Sequence, residues 1–306
     1  MSKALRRNII LLIATNTGFV ALVTLILLPG LKPTPSPMPL LIGICLIEAL
    51  YLVSIIRNPK GLLAASWITF IVWLVFFIWE LLTTKLNRMH PVLVPAPEAI
   101  FDVFRTQYVV LIGNVVSSME LLLFGALTAL VAGVLLGLAI GWIKELRDVI
   151  QPIARVLAPI PSVVFAPYLV ALMPSFRSAS AMVIFLGLFW PTFLNMIIRV
   201  AALDHRVLES ARLLELSSFS MVKDILLPYV IPSVVAGLRV QLTSSIMMLT
   251  FAEMLGAKSG MGYYIINYTN FANYTNVVAG IIVVGIVVTI LNRIIAFIEV
   301  VAIKWH

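Results

Sequence analysis

The stretch that decides the fold of this chain, residues 209 to 228, reads ESARLLELSSFSMVKDILLP. It carries charged and hydroxyl side chains between long apolar runs, and such a segment has to lie in water. The rest of the chain suits lipid, because 62% of the residues are hydrophobic, 11% are charged and the mean hydropathy is +1.11. Soluble domains are roughly half apolar and a quarter charged, so the composition predicts a bundle of membrane helices. The polar segment would extend from this bundle into water.

Eight apolar stretches are long enough to cross about 30 Å of hydrocarbon as helices of about 20 residues. We therefore predict an all-α, polytopic membrane helix bundle. With both termini in the cytoplasm, about twice as many lysines and arginines fall inside as outside, and the loop 201–225 is cytoplasmic. The expected location is the plasma membrane of a prokaryote, multi-pass. The approximate predicted spans are 9–28, 38–56, 62–83, 114–143, 153–174, 179–200, 226–251 and 277–301.

The spacing in the polar segment resembles the Glu-Ala-Ala loop of the integral membrane subunits of ATP-binding-cassette (ABC) importers. That pattern is Glu, a small residue, Ala, three residues, Gly, nine residues and Ile-x-Leu-Pro. Glu215 stands where the family has glycine, and it adopts a left-handed turn only at a cost of about 1 kcal/mol or more. We expect the turn to shift or the helix to continue. The matching positions are Glu209, Ser210, Ala211, Ile225, Leu227 and Pro228.

A helix over residues 206–216 would have two apolar sides. Val207, Ala211 and Leu214 line one face, while Leu213 and Leu216 lie among charged residues on the other. Such a helix suits an element held between its own bundle and a second protein. The resemblance implies that the second protein is a separate ATPase subunit. A helix lying on the membrane surface is the alternative. The predicted ATPase-coupling residues are Arg206, Val207, Glu209, Ser210, Ala211, Arg212, Leu213, Leu214, Glu215 and Leu216.

The chain is predicted to divide at about residue 60. Residues 1–59 would form an N-terminal two-helix membrane hairpin, and residues 60–306 the permease transmembrane domain with its coupling loop at 201–228. The strings WELL (79–82), VLVPAP (92–97), PSVVAGLRV (232–240) and AEMLGAKSGMGYYI (252–265) resemble permeases of the nitrate, sulfonate and taurine branch. That branch implies a six-helix core, so the hairpin is an addition, for packing or for docking a partner.

Polar side chains and prolines inside the spans indicate a translocation pathway, because broken backbone at membrane depth is tolerated only against protein or a water-filled cavity. Together they predict a polar seam between the fifth and seventh spans. For each serine or threonine, helix packing is the alternative. For Glu253 the alternative is a carboxylate that accepts hydrogen bonds from the amides of a glycine-rich turn. The candidate pathway residues are Ser117, Glu120, Pro161, Asn195, Gln241, Ser244 and Glu253.

The sequence holds no nucleotide-binding motif of the Gly-x4-Gly-Lys-Ser/Thr type and no paired zinc ligands. The single Cys45 excludes an intrachain disulfide, and the scattered basic residues do not form a nucleic-acid stripe. We therefore expect a pathway subunit that is not an enzyme, binds no metal and carries no cofactor, with ATP and Mg²⁺ held by the partner ATPase.

The resemblance also implies the partners: an ABC ATPase dimer, a second permease copy in a homodimer, an extracytoplasmic solute-binding protein and the lipid bilayer. The implied solute is a small anion such as a sulfonate, taurine or nitrate. The alternative function is an ATPase-independent secondary transporter or channel, which would not need the spacing from Glu209 to Pro228.

Overall fold

The computed structural model describes residues 3–204, 206, 207, 209, 217 and 220–302. Over those residues it is helical and contains no strand, which confirms the predicted all-α class. The helices are α1 (Lys3–Leu27), α2 (Met38–Arg57), α3 (Leu62–Glu80), α4 (Pro97–Thr106), α5 (Tyr108–Trp142), α6 (Lys144–Leu157), α7 (Ala166–Leu172), α8 (Phe176–Ala201), α9 (Leu227–Met254), α10 (Met261–Asn270) and α11 (Tyr274–Ala302). A π-helical turn, Leu81–Lys85, continues α3, and another, Met221–Leu226, leads into α9.

Within the described part of the chain, seven helices are long and apolar enough to cross a membrane, and one bent pair would make an eighth span. The bent pair replaces the single helix predicted over 153–174. Here α6 ends at Leu157, a 3₁₀ turn follows over Ser162–Phe165, and the two parts meet at 82°. Pro159 and Pro161 explain the break, because proline lacks an amide donor and disfavours helical backbone in the residue before it.

Contacts group the chain into two compact units. The first consists of Met1–Leu111 with Asn267–Ile281, and the second of Ile112–Ile266 with Ile282–His306. The predicted division at residue 60 stays a prediction. In the first unit, however, α1 packs along α3, and α2 packs against both α3 and α4, so the N-terminal helices share a core with the chain that follows them.

That core of the first unit surrounds Trp73, which is 1% exposed and packs among buried aliphatic side chains of α1 and α2. Its indole Nε1 donates to Glu48 Oε2 at 3.2 Å, so the buried carboxylate of α2 is held by a side chain of α3. Glu80, from the WELL string, is also buried and forms an ion pair with Lys85 at 3.1 Å. The Trp73–Glu48 contact joins α3 to α2, whereas the Glu80–Lys85 pair lies within α3 and its π-helical continuation.

In the second unit, α5 packs against α8 through a row of small residues spaced four apart. A Cβ atom added at Gly137 would lie 2.5 Å from the Met196 Cβ, so the two helix backbones approach as closely as glycine permits. Small residues allow such approach between membrane helices, where apolar burial gives little drive for association. Along α9, the main packing partner is α8. The small residues are Gly125, Ala129, Gly133, Gly137 and Gly141.

Candidate translocation site

The glycine-rich turn between α9 and α10 is held by a buried carboxylate. Glu253, at the end of α9, is fully buried, and its two carboxylate oxygens accept from the Ser118 hydroxyl at 2.6 Å and the Gly262 amide at 2.8 Å. The Ser118 hydroxyl in turn accepts from the Met261 amide at 2.8 Å. This geometry is the alternative stated for Glu253, a carboxylate hydrogen-bonded to the amides of the turn.

One face of α5 supplies the other half of this arrangement. Asn114 Oδ1 accepts from the Gly260 amide at 2.8 Å, and the hydroxyls of Ser117 and Ser259 lie 2.8 Å apart. Positions 114, 117 and 118 are spaced by three and four residues, so they share a face of the helix. We call Asn114, Ser118 and Glu253, with the amides of 260–262, the latch. Sequence reasoning missed Asn114, although the spacing of polar residues on α5 could have indicated it.

Two glycines of the turn are required by its geometry. Gly260 has a φ of 118°, which L side chains rarely adopt, and a Cβ there would collide with the Glu253 carboxylate. A Cβ at Gly262 would collide with the carbonyl oxygen of Thr250. The glycine-rich turn is therefore a tight one, and its residues 258 and 259 line a cavity beside the latch.

Two neighbouring cavities open beside the turn, at the end of the second unit where α8 begins. One has a volume of about 400 Å³ and the other about 490 Å³, and both are lined by Leu121, Ser175 and Arg177. Two predicted pathway residues lie here: Ser117 lines the smaller cavity, and Glu120 lines the larger one, where it pairs with Arg177.

The remaining predicted pathway residues lie elsewhere in the second unit. Gln241, half-buried on α9, accepts from the Thr192 hydroxyl of α8 at 3.3 Å. It therefore contacts the sixth span, and the seam between the fifth and seventh spans stays a prediction. The fifth span also meets α9, through its 3₁₀ turn. Asn195 is half-buried on α8, and Pro161 is exposed where the 3₁₀ turn begins.

Ser244 is exposed on α9, and its hydroxyl donates to the Val240 carbonyl of the same helix at 3.0 Å. This is the pattern of a serine that satisfies its hydroxyl within its own helix. None of these placements tests a role in transport, so the pathway assignments stay predictions.

The predicted coupling segment is described only where it begins. Arg206, Val207 and Glu209 are helical and exposed, and the Asp204 carboxylate accepts from the Arg206 amide at 2.9 Å, as an N-terminal capping residue does. Residues 210–216 lie outside the described residues, so the effect of Glu215 on the turn stays a prediction. After the segment, Pro228 stands in the first turn of α9, where a missing amide costs little.

Over residues 129–301, the sequence matches the family described as binding-protein-dependent transport system inner membrane component. The chain belongs to this family. It is a multi-pass plasma-membrane permease of the ABC importer type, as predicted.

The sequence is also similar to individual permeases, and the fold to one solved transporter. The permease is 30% identical over 185 residues to the nitrate import permease protein NrtB of Leptolyngbya laminosa, covering 60% of this chain and 66% of the relative. It is 25% identical over 251 residues to the putative aliphatic sulfonates transport permease protein SsuC of Bacillus subtilis (strain 168), covering 81% of this chain and 87% of the relative. An inward-facing structure of the MetNI methionine ABC transporter matches with 16% identity and a TM-score of 0.49, covering 65% of this chain and 96% of that chain.

Proposed function

We propose that this permease forms the membrane pathway for a small monovalent oxyanion, of the nitrate or sulfonate class, and that a separate ATPase drives it. The observation that carries the proposal is the family match together with two relatives whose names state nitrate and aliphatic sulfonates as cargo. Both cargoes carry one negative charge spread over three oxygens, so one polar, cation-lined path serves either of them.

The ATPase acts on the segment 206–216, which follows α8 directly. Its described beginning supports this role, because Arg206 and Glu209 are exposed and the Asp204 cap starts a helix there. Exposed charges on a short helix suit a protein surface, where they fix the register of docking, and the leucines of the segment supply the apolar anchors. Movement of the segment then shifts α8 and, through the close α5–α8 contact, the rest of the second unit.

The complete importer comprises two copies of this permease, an ABC ATPase dimer and an extracytoplasmic solute-binding protein. ATP and Mg²⁺ belong to the ATPase, and the permease holds no cofactor. Alternating access follows, since ATPase closure biases the bundle between two states that open to opposite sides.

Reconstitution of the permease with its ATPase tests the coupling. Glu209→Ala and Leu213→Asp should each abolish solute-stimulated ATP hydrolysis and ATP-dependent uptake into proteoliposomes, while the protein still inserts and purifies. Glu145→Ala, which removes an exposed carboxylate from the first turn of α6, is the matched control and should retain both activities.

Unchanged uptake in both segment variants would remove the role assigned to 206–216. If no ATPase co-purifies and uptake persists without ATP, the chain is instead a secondary transporter or channel. Competition with nitrate, methanesulfonate and taurine identifies the cargo class, and competition by none of them would refute the oxyanion assignment.

A further inference from the structure

The smaller cavity beside the latch has the chemistry of an anion site. Its ionisable lining groups are both cations, Arg177 at the start of α8 and Lys258 in the glycine-rich turn. Hydroxyl groups supply most of its other polar lining. They belong to Ser117, Ser175, Ser180 and Ser259.

Three separate segments converge on this cavity, so it is built by the fold and not by one run of sequence. Ser117 comes from α5, Arg177 and the serines before and after it from α8 and its N-terminus, and Lys258 from the turn. The position of Lys258 is fixed by the latch, because the turn is held on both sides of it, by Glu253 within α9 and by the Gly260 and Gly262 amides. A cation on a fixed backbone loses less conformational freedom when it binds an anion.

The Glu120 carboxylate would compete with a bound anion for Arg177. It lines the larger cavity next door and pairs with Arg177, whose side chain, like that of Glu120, is 58% exposed. An ion pair this exposed to water contributes little stability, so an anion that enters the smaller cavity can displace Glu120 from Arg177.

The cavity also lies at the correct end of the bundle for entry. It adjoins the N-terminus of α8, whereas the segment assigned to the ATPase follows the C-terminus of the same helix. A helix of 26 residues is about 39 Å long, which is the thickness of a bilayer with part of its headgroups. If the segment 206–216 faces the cytoplasm, the cavity opens on the outer side.

We propose that this cavity is an outer vestibule that binds one small monovalent oxyanion, nitrate or an alkylsulfonate, between Arg177 and Lys258 before transport. The proposal rests on the proposed function and adds the place and the residues that first hold the solute. The guanidinium of Arg177 and the ammonium of Lys258 neutralise the negative charge of the anion, and the serine hydroxyls donate hydrogen bonds to its remaining oxygens. A volume of about 400 Å³ accommodates the anion with part of its water or a short alkyl chain.

A cysteine reporter tests the vestibule without ATP. In a Cys45→Ser background, Ser117→Cys places a thiol in the cavity, and the permease complex in lipid nanodiscs is treated with two methanethiosulfonates, one carrying a sulfonate and one a trimethylammonium group. The sulfonate reagent should react faster, after correction for the rates with a free thiol. Lys258→Gln should lower that preference by about threefold to tenfold, as removal of one nearby charge predicts.

The matched control is Lys144→Gln, because Lys144 follows the far end of α5, about 40 Å along the helix from Ser117, and should leave the preference unchanged. Sodium nitrate and sodium methanesulfonate should slow both reagents in a saturable manner, whereas sodium chloride at equal ionic strength should not. Ser180→Cys is a second reporter if Ser117→Cys fails to purify as a monodisperse complex.

Equal protection by chloride, or a preference that Lys258→Gln does not change, would overturn the vestibule. A thiol that neither reagent reaches would also overturn it, since the cavity would then be covered in the assembled complex. Failure of the importer itself has a different signature: ATP-dependent uptake would be absent in the unmodified complex, whatever the reporter shows.

Discussion

Replacing Gly137 by alanine tests the close approach of α5 and α8. The added Cβ would lie 2.5 Å from the Met196 Cβ and 3.0 Å from the Phe193 carbonyl oxygen, both on α8. Carbon atoms pack at about 3.5 to 4 Å, so one helix has to move away by an ångström or more. Overpacking of this kind costs about 1 to 3 kcal/mol.

Gly113→Ala is the control, because it makes the same chemical change in the same helix, where an added Cβ meets no atom within 4 Å. Both variants gain the same helix propensity, about 1 kcal/mol, so the difference between them isolates the contact with α8. At roughly 2 to 4 °C per kcal/mol, Gly137→Ala should unfold about 2 to 12 °C below Gly113→Ala. The assay is thermal unfolding of the detergent-purified permease, followed by the fluorescence of monodisperse protein. Equal midpoints would show that the α5–α8 contact is not as close as the structure has it.

Two further substitutions address the buried polar groups. Ser118→Ala removes the hydroxyl that donates to Glu253 and leaves a buried acceptor unpaired. The midpoint of thermal unfolding should therefore fall by an amount that corresponds to about 1 to 3 kcal/mol. A midpoint equal to that of the unmodified permease would show that this hydrogen bond does not stabilise the fold. Trp73→Phe removes the donor to Glu48 and should destabilise by a similar amount, whereas Trp67→Phe, at an exposed indole of the same helix, should change little; equal effects of the two would contradict the contact between α2 and α3.

The helices of this permease could be predicted from the sequence because apolar length is a local property. Pro159 and Pro161 indicate a break in the fifth span, but the sequence does not show the angle between the two parts of that span. Prolines indicate where a helix ends, but the angle between the parts depends on what each part packs against, and no local pattern carries that information. For this reason the sequence did not show that Gln241 of α9 lies against Thr192 of α8.

The latch could not be predicted from the sequence for a similar reason. Ser118 and Glu253 are 135 residues apart, so only the fold shows that the serine hydroxyl is the carboxylate's donor. The glycines of the turn did indicate a tight loop, since Gly260 needs a positive φ and Gly262 a missing Cβ. What they could not indicate is which helix closes on that loop.

Glu253 shows how a functional-site argument changes once partners are known. A carboxylate in a membrane span is expensive, which made Glu253 a candidate for contact with the solute. In the structure both of its oxygens accept hydrogen bonds, so the cost is offset by the turn that it holds. Loss of uptake in a Glu253 variant would therefore not show that the carboxylate touches an anion, because the same variant releases Lys258. The charge on Lys258 can be removed without breaking the latch, and that substitution separates binding of the solute from support of the loop.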